Sequence, residues 1–547
     1  MIYPIPQKNN LNGEMISLTS VKLTGDFVSL AERVFATYGI EVSENGFPVE
    51  IKISDSKKTT YIDSLSRLSN EKYFIIAEKE KVILETSSER GVFRAVNTLA
   101  KLIIKNELKT GVLEDYPLFA KRGYIEGFYG DTWEQKKRLS VMALMAKYGM
   151  NTFYYAPKDD EYHREKWREV YPEKELDDLK NLYDSATENQ LDFCWSIGPG
   201  LTYHYTSDED FQLLINKIKN VYSIGVRNFG LLLDDIPADF QYEDDKDAFD
   251  SVVDAHICLV NKTYNELKNF DSSITLTVCP TQYFGDEKGY YISKFGSGIP
   301  ADVSLFWTGA EICSRIQTVR EADEFMRSTR HKPLYWDNFP VNDAEMFQEM
   351  HIGPVLGRDK ELYKSCEGLI SNVMEYAECS KIPLMTIADY LWNPEAYNPE
   401  KSLENAHEEI LGDKKELFFY IAEHLEVSCV NRHASAYMSE VFEKINFQRA
   451  IGNKEKSLEI FREYKAKCRE CFGMLCDTTV PLFEEMQKWV RKFGMCCDLL
   501  DALYEMQENP DEEKRKILAE LLEKYNSDAV VLTGFCLREN AEKTLKN

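Results

Sequence analysis

The stretch Asn228-Phe-Gly-Leu-Leu-Leu-Asp-Asp235 reads as a short buried strand that runs straight into two acids. Seven more runs of strand composition recur around it: Tyr124–Gly130, Thr152–Pro157, Asp192–Gly198, Ile274–Tyr283, Val303–Gly309, Pro333–Val341 and Gly368–Met374. Helical patterns separate several of them, at Glu134–Tyr148, Leu176–Glu188, Glu209–Ser223 and Ala248–Lys268. Alternation of this kind predicts parallel strands joined by crossover helices. Eight units within residues 119–400 match a closed (β/α)₈ TIM barrel better than an open sheet.

The flanks have a different character. Residues 1–118 read as a small α/β domain in which Val49, Ile51 and Ile53 alternate with polar neighbours, as in a half-buried strand. Short strands are expected at Tyr73–Ala77 and Val82–Glu85, followed by a helix with Val92, Ala95, Val96, Leu99, Leu102 and Ile103 on one face. Nothing there looks chemical, so a packing or positioning role is the reading. Residues 401–547 are patterned as a helical bundle. One of its helices is predicted with Asn509 as N-cap, Pro510 at the first position and Glu512 at the third. Self-association into a homo-oligomer through these helices stays open.

Bulk composition bounds the chemistry. The 547 residues are 44% hydrophobic and 12% aromatic, which suits a folded chain of two or three domains. A formal charge of −26 argues against nucleic acid and against an anionic membrane surface, and favours a neutral substrate. The thirteen cysteines form no evenly spaced framework, so free thiols in a reducing, cytoplasmic setting are expected. Cys468-x-x-Cys471 lies in a helical pattern without a second such pair, which favours buried thiols over zinc. The N-terminus shows no leader pattern, and no run approaches the ~20 apolar residues a membrane helix needs.

A barrel of this type carries its chemistry where the strands end. The predicted ends bear Gly127 and Tyr129, Lys158, the pair Asp234-Asp235, Tyr283, Trp336 with Asn338 and Asp343, and Asn372. Aromatic faces with amides and carboxylates are what a pyranose requires, its C–H faces stacking and its hydroxyls bonding. Successive strand residues point to opposite faces. The two acids therefore share a pocket only if the chain bends after Leu233, which Pro237 is expected to favour. Carboxylates held close resist joint ionisation, so one is expected to keep its proton, as glycosidic cleavage needs. The bland alternative is a helix cap followed by a solvated aspartate. Lys158 is expected either on a sugar hydroxyl or paired with Asp159. Trp307 and Trp336 are each more often core than sugar platform, their clustering at strand ends favouring the sugar, and His163 has no partner at metal spacing. No zinc, calcium, Walker or dinucleotide motif occurs, so the simplest reading is a hydrolase using neither metal nor cofactor.

These residues carry a resemblance. Arg122-Gly-Tyr-Ile-Glu-Gly-Phe-Tyr-Gly130, Tyr155-Ala-Pro-Lys-Asp-Asp160, Tyr162-His-Arg-Glu-Lys-Trp167, Asp234-Asp235, Trp336-Asp-Asn-Phe-Pro-Val-Asn-Asp343 and Ser371-Asn372 resemble glycoside hydrolase family 84 in order and spacing. That family holds the O-GlcNAcases and bacterial enzymes often labelled hyaluronidases. The resemblance implies a retaining exo-β-N-acetylglucosaminidase acting on a GlcNAc-bearing glycoprotein or glycan. In such an enzyme the substrate's own acetamido oxygen attacks the anomeric carbon. It implies Asp234 as the group that orients the acetamido N–H and Asp235 as general acid and then base. It implies Tyr283 beside the acetamido group, Gly127 and Lys158 near O3, Asp343 on O4 and O6, and Asn338 and Asn372 assisting. Trp336 would line the acetamido pocket and Tyr129 the sugar site. Phe284-Gly285 departs from the acidic or small polar residues that several relatives carry after the tyrosine. The rival readings are an endo-acting glycosaminoglycan hydrolase and a carbohydrate-binding scaffold without catalysis.

Overall fold

A computed structural model describes residues 2–53, 70–432 and 435–546. The first region builds β1 (Lys8–Asn10), β2 (Ser20–Gly25), α1 (Val28–Thr37), β3 (Glu41–Val42), β4 (Phe47–Ile53), β5 (Tyr73–Ala77), β6 (Val82–Thr86), α2 (Glu89–Ile104) and β7 (Gly111–Asp115). The strands form a mixed sheet in the order β1-β7-β5-β6-β4-β2-β3. Val49 and Ile51 of β4 are buried, whereas Ile53 is 38% exposed at the end of the strand. Val92, Ala95, Val96, Leu99 and Leu102 of α2 are buried, as the helical spacing predicts.

The central region alternates as expected: β8 (Lys121–Glu126), α3 (Gln135–Lys147), β9 (Thr152–Tyr155), α4 (Glu173–Glu188), β10 (Asp192–Ile197), α5 (Asp208–Tyr222), β11 (Asn228–Leu232), α6 (Glu243–Ala248), α7 (Val252–Phe270), β12 (Thr275–Cys279), α8 (Tyr290–Gly298), β13 (Ser304–Trp307), α9 (Val319–Thr329), β14 (Pro333–Asp337), β15 (Gly368–Asn372) and α10 (Ala377–Trp392). The eight strands β8–β15 are parallel neighbours and close on themselves, β15 pairing β8 with Asn372 opposite Ile125. Inside the barrel, Ile125, Tyr154, Cys194, Leu232, Phe306, Leu334 and Ile370 fill a core of their own. Every observed strand lies inside its predicted run but β8, which begins three residues earlier at Lys121. The runs extend past the observed ends because apolar composition continues into the loops that line the mouth.

The helices α11 (Pro399–Leu411), α12 (Lys415–Ala422), α13 (Ala436–Ala450), α14 (Lys454–Leu475), α15 (Pro481–Glu485), α16 (Gln487–Glu508), α17 (Glu512–Ser527) and α18 (Phe535–Lys546) complete the chain. One predicted cap moves. Asn509 closes α16, and α17 begins at Glu512 with Asp511 accepting the Lys514 N–H at 2.8 Å. Pro510 precedes the cap because its ring cannot supply the extended Asp511 conformation, φ −147°. Cys468 and Cys471 are both buried on α14, and all thirteen cysteines are free.

Candidate active site

The barrel mouth opens into a cavity of about 750 Å³. Its wall includes Gly127, Tyr129, Lys158, Asp234, Asp235, Tyr283, Trp336, Asn338, Asp343 and Asn372, every residue picked out from the strand ends.

The two acids reach it by a turn of the main chain. The ladder of β11 continues to Leu233, whose N–H donates to the Cys279 carbonyl at 2.8 Å. Asp235 then takes φ 52°, a left-handed conformation that costs a non-glycine residue roughly 1–2 kcal/mol. This turn at Asp235, rather than the proline two residues on, carries both side chains into one cavity. The Thr281 hydroxyl donates to the Leu233 carbonyl at 2.8 Å and steadies the strand end.

The neighbouring acids meet different partners. Asp234 is 6% exposed and accepts the Lys158 ammonium at 2.7 Å. Burial pushes its carboxyl up, but the Lys158 charge and hydrogen bond, with Arg164 behind them, bring it below the usual aspartate range. Lys158 thus pairs with Asp234, 76 residues away, and not with Asp159. Asp235 is exposed to the cavity and accepts two phenols, Tyr129 at 2.9 Å and Tyr283 at 3.1 Å. The two acids thus differ in their partners: a buried cation for one, two neutral donors for the other.

The remaining wall is held by amides. Asn338 Oδ1 accepts from the Trp336 indole at 2.9 Å and from Asn372 Nδ2 at 3.0 Å, while its own amide donates to the Ile312 carbonyl at 2.9 Å. The Trp336 ring lies edge-on to Phe306, centroids 5.2 Å apart. Asn372 Oδ1 is buried without a hydrogen-bond partner, an acceptor left for a hydroxyl or amide of a ligand. Gly127 keeps that strip open, since a Cβ there would fall 2.7 Å from Trp336 Cζ2 and 3.3 Å from Asn372 Oδ1. Asp343 accepts the Tyr129 backbone N–H at 2.8 Å, and burial pushes its carboxyl up. The Thr308 N–H donates to the Tyr283 carbonyl at 2.8 Å, which fixes that tyrosine beside Asp235.

Other residues fall elsewhere. Trp307 stacks on Phe325 at 4.8 Å in the core. His163 is buried on the Ser196 carbonyl at 2.8 Å, and burial takes its imidazole down to about 4, so it stays neutral and structural. Among the described residues one three-ligand group stands near the barrel mouth, His204 with Asp244 and Asp245, outside the cavity wall. Its atoms already bond one another, His204 Nε2 lying 2.8 Å from Asp244 Oδ2. Residues missed from sequence are Arg164, which donates to the Asp235 carbonyl at 2.8 Å, and Val427 to Cys429 with Arg432, which close one side of the cavity. The motif Tyr162-His-Arg-Glu-Lys-Trp167 was a signal for the first. Nothing local marks the second, which is a loop after the helix α12.

Residues 122–422 match a family model described as β-N-acetylglucosaminidase, and residues 2–116 match one described as glycosyl hydrolase family 20, domain 2. The Protein O-GlcNAcases of Rattus norvegicus and Mus musculus are each 30% identical over 274 residues, 49% of this chain and 29% of theirs. The chain thus spans about three-tenths of the length of these curated relatives. A mutant of the Thermobaculum terrenum O-GlcNAc hydrolase is 31% identical with a TM-score of 0.74, over 78% of this chain and 95% of that one. The structure of CpGH84B is 27% identical with a TM-score of 0.85 over 100% of both chains. CpGH84D, 22% identical with a TM-score of 0.81 over 100% of this chain and 99% of that one, is alike in fold.

Proposed function

Because the chain belongs to glycoside hydrolase family 84, the β-N-acetylglucosaminidases and O-GlcNAcases, we propose that it is a retaining exo-β-N-acetylglucosaminidase that removes terminal β-linked GlcNAc from glycoproteins or glycans by substrate-assisted catalysis. The observation that carries the reading is the pairing of Asp234 with Lys158 beside an Asp235 whose carboxylate, among the described residues, accepts two phenols and no cation. An acid held anionic accepts the acetamido N–H, which strengthens the amide oxygen as nucleophile. That oxygen bonds to the anomeric carbon as the glycosidic oxygen leaves with the Asp235 proton. The products of this half are the free aglycone and an oxazoline in its N-protonated form, the N–H still held by the anionic Asp234. Water then gives a proton to Asp235 and adds to the anomeric carbon, the C–O bond to the acetamido oxygen breaks, and the β configuration returns. In this reading Tyr283, whose hydroxyl donates to Asp235 at 3.1 Å, turns to the acetamido oxygen of the substrate.

Charge supports a neutral substrate. Asp234, Asp235, Glu311, Asp343, Glu345 and Glu349 line the cavity against Lys158 and Arg432, a balance that repels a uronate-bearing glycosaminoglycan. The test is hydrolysis of aryl β-GlcNAc with the anomer of the first-formed sugar read by NMR. The β anomer and competitive inhibition by a thiazoline mimic of the oxazoline are expected. Asp235→Asn should lower turnover ~10²–10⁴-fold for a poor leaving group, and less for an activated one, while the thiazoline still binds. First-formed α anomer, or an active enzyme indifferent to the thiazoline, would overturn the mechanism.

A further inference from the structure

We propose that Arg164 is a positioning residue that holds the acid–base turn, locking Asp235 through its backbone carbonyl and through Tyr129. The proposal rests on the reading of Asp235 as the acid–base group.

Arg164 sits in the loop between β9 and α4, half-buried, between the exposed Glu165 and the buried His163. Both of its hydrogen bonds go to the turn: Nη2 donates to the Asp235 carbonyl at 2.8 Å and Nη1 to the Tyr129 hydroxyl oxygen at 3.1 Å. The same phenol donates to Asp235 Oδ2 at 2.9 Å. The contacts close a ring of guanidinium, phenol, carboxylate and the carboxylate's own backbone. A planar fork holds two acceptors in a fixed relative geometry, which an ammonium, a point donor on a flexible stem, does not.

Two consequences follow. Asp235 occupies a left-handed backbone conformation, φ 52°, that an aspartate leaves readily once its carbonyl is untied. The cation tied to that carbonyl keeps the turn, and Tyr129 then fixes the carboxylate oxygen in place. The second consequence is electrostatic. The Tyr129 ring lies between the Lys158 ammonium, 5.5 Å from its centroid, and the Arg164 guanidinium, 5.9 Å from it. Arg164 is the cation bonded to that phenol, so it polarises the O–H and strengthens the hydrogen bond that Tyr129 donates to Asp235.

The experiment compares Arg164→Met, Arg164→Lys and Tyr129→Phe on aryl β-GlcNAc substrates with good and poor leaving groups, with thermal melting as a check on the fold. Arg164→Met should lose ~10–100-fold in kcat for the poor leaving group, the scale of an ångström of misplacement, and clearly less for nitrophenol. Its KM should change little. Arg164→Lys should restore only part of the rate. Combined with Tyr129→Phe, the losses should fall short of the product of the singles. Equal losses for both leaving groups would reduce Arg164 to a loop residue and overturn the proposal. A wild-type chain that releases no GlcNAc at all would instead overturn the function on which it rests.

Discussion

Lys158 and Asp234 face each other with side chains 3% and 7% exposed, so each is the other's means of staying charged. Lys158→Met would leave burial of Asp234 opposed only by Arg164 and a backbone hydrogen bond, and burial favours the neutral acid. Its carboxyl, now below the usual aspartate range, should then rise above it. An anionic Asp234 is what the acetamido N–H requires, so the low-pH limb of kcat should move upward and activity should vanish first in acid. A pH–rate profile of the variant checks this, and a low-pH limb at the wild-type position would exclude the counter-charge role. The residues of this wall were legible in sequence because each closes a strand or opens the loop after it. Their partners were not: the sequence offered Lys158 a sugar hydroxyl or Asp159 next door, and Asp234, two strands away, was not among its candidates.

A single acid also governs how α13 begins. Ser435, at φ 55°, offers this helix no side-chain cap. Glu423 replaces it from the end of α12, its Oε2 accepting the N–H of Tyr437 at 2.9 Å and of Met438 at 3.2 Å. Burial pushes the carboxyl up to about 7, despite those two donors. Its Oε1 and His424 Nε2 lie 3.8 Å apart, both buried and both without a hydrogen-bond partner. The folded chain therefore holds a proton on Glu423 that the unfolded chain releases near its ordinary value. Stability from this group is fully present below that ordinary value and falls as pH rises from there to about 7. Glu423→Gln keeps the acceptor for α13 and turns an N–H₂ toward His424. Thermal unfolding should show the variant more stable than wild type at pH 8 and much closer to it near pH 5; parallel pH curves would refute this. Amphipathic spacing announces α13 itself, but a cap lent by another helix leaves no local trace. The displaced start of α17, at Asp511 rather than Asn509, has the same origin: competing caps are ranked by backbone conformation.

Three regions become one molecule through buried polar junctions. Glu71 accepts from Arg94 of α2 at 2.9 Å and from Arg122 of β8, while Asn151 donates to its other oxygen at 3.0 Å. Arg94 also donates to the carbonyls of Ala146 and Met150 at 2.7 and 2.8 Å, clamping the first domain to the turn between α3 and β9. Burial works against the Glu71 charge, but Arg122 and Arg94 take the carboxyl down to about 2. Glu71→Gln strands two buried guanidinium groups and should cost about 3–5 kcal/mol at neutral pH, read by chemical denaturation. Because the folded value is depressed, this contribution is whole above the unfolded value and is lost as pH falls toward about 2, so the gap between variant and wild type should narrow in acid. A constant gap would place the loss elsewhere. At the other end, the Trp489 indole donates to the Gln348 carbonyl at 3.2 Å, joining α16 to a loop of the barrel near the cavity.

Strand periodicity and the residues at strand ends were sufficient for the barrel and its chemical rim. In a parallel barrel every strand finishes on the same side, so order along the chain already places Gly127, Lys158, Asp234, Tyr283, Asn338 and Asn372 around one opening. Tertiary structure alone decided which charge neutralises which, how Asp235 turns, and that Val427 to Cys429 and Arg432 complete the wall. The physical reason is that alternation records only which side of an element is buried. Closure of the barrel and docking of the helices bring together groups such as Lys158 and Asp234, whose separation in sequence carries no sign of their contact.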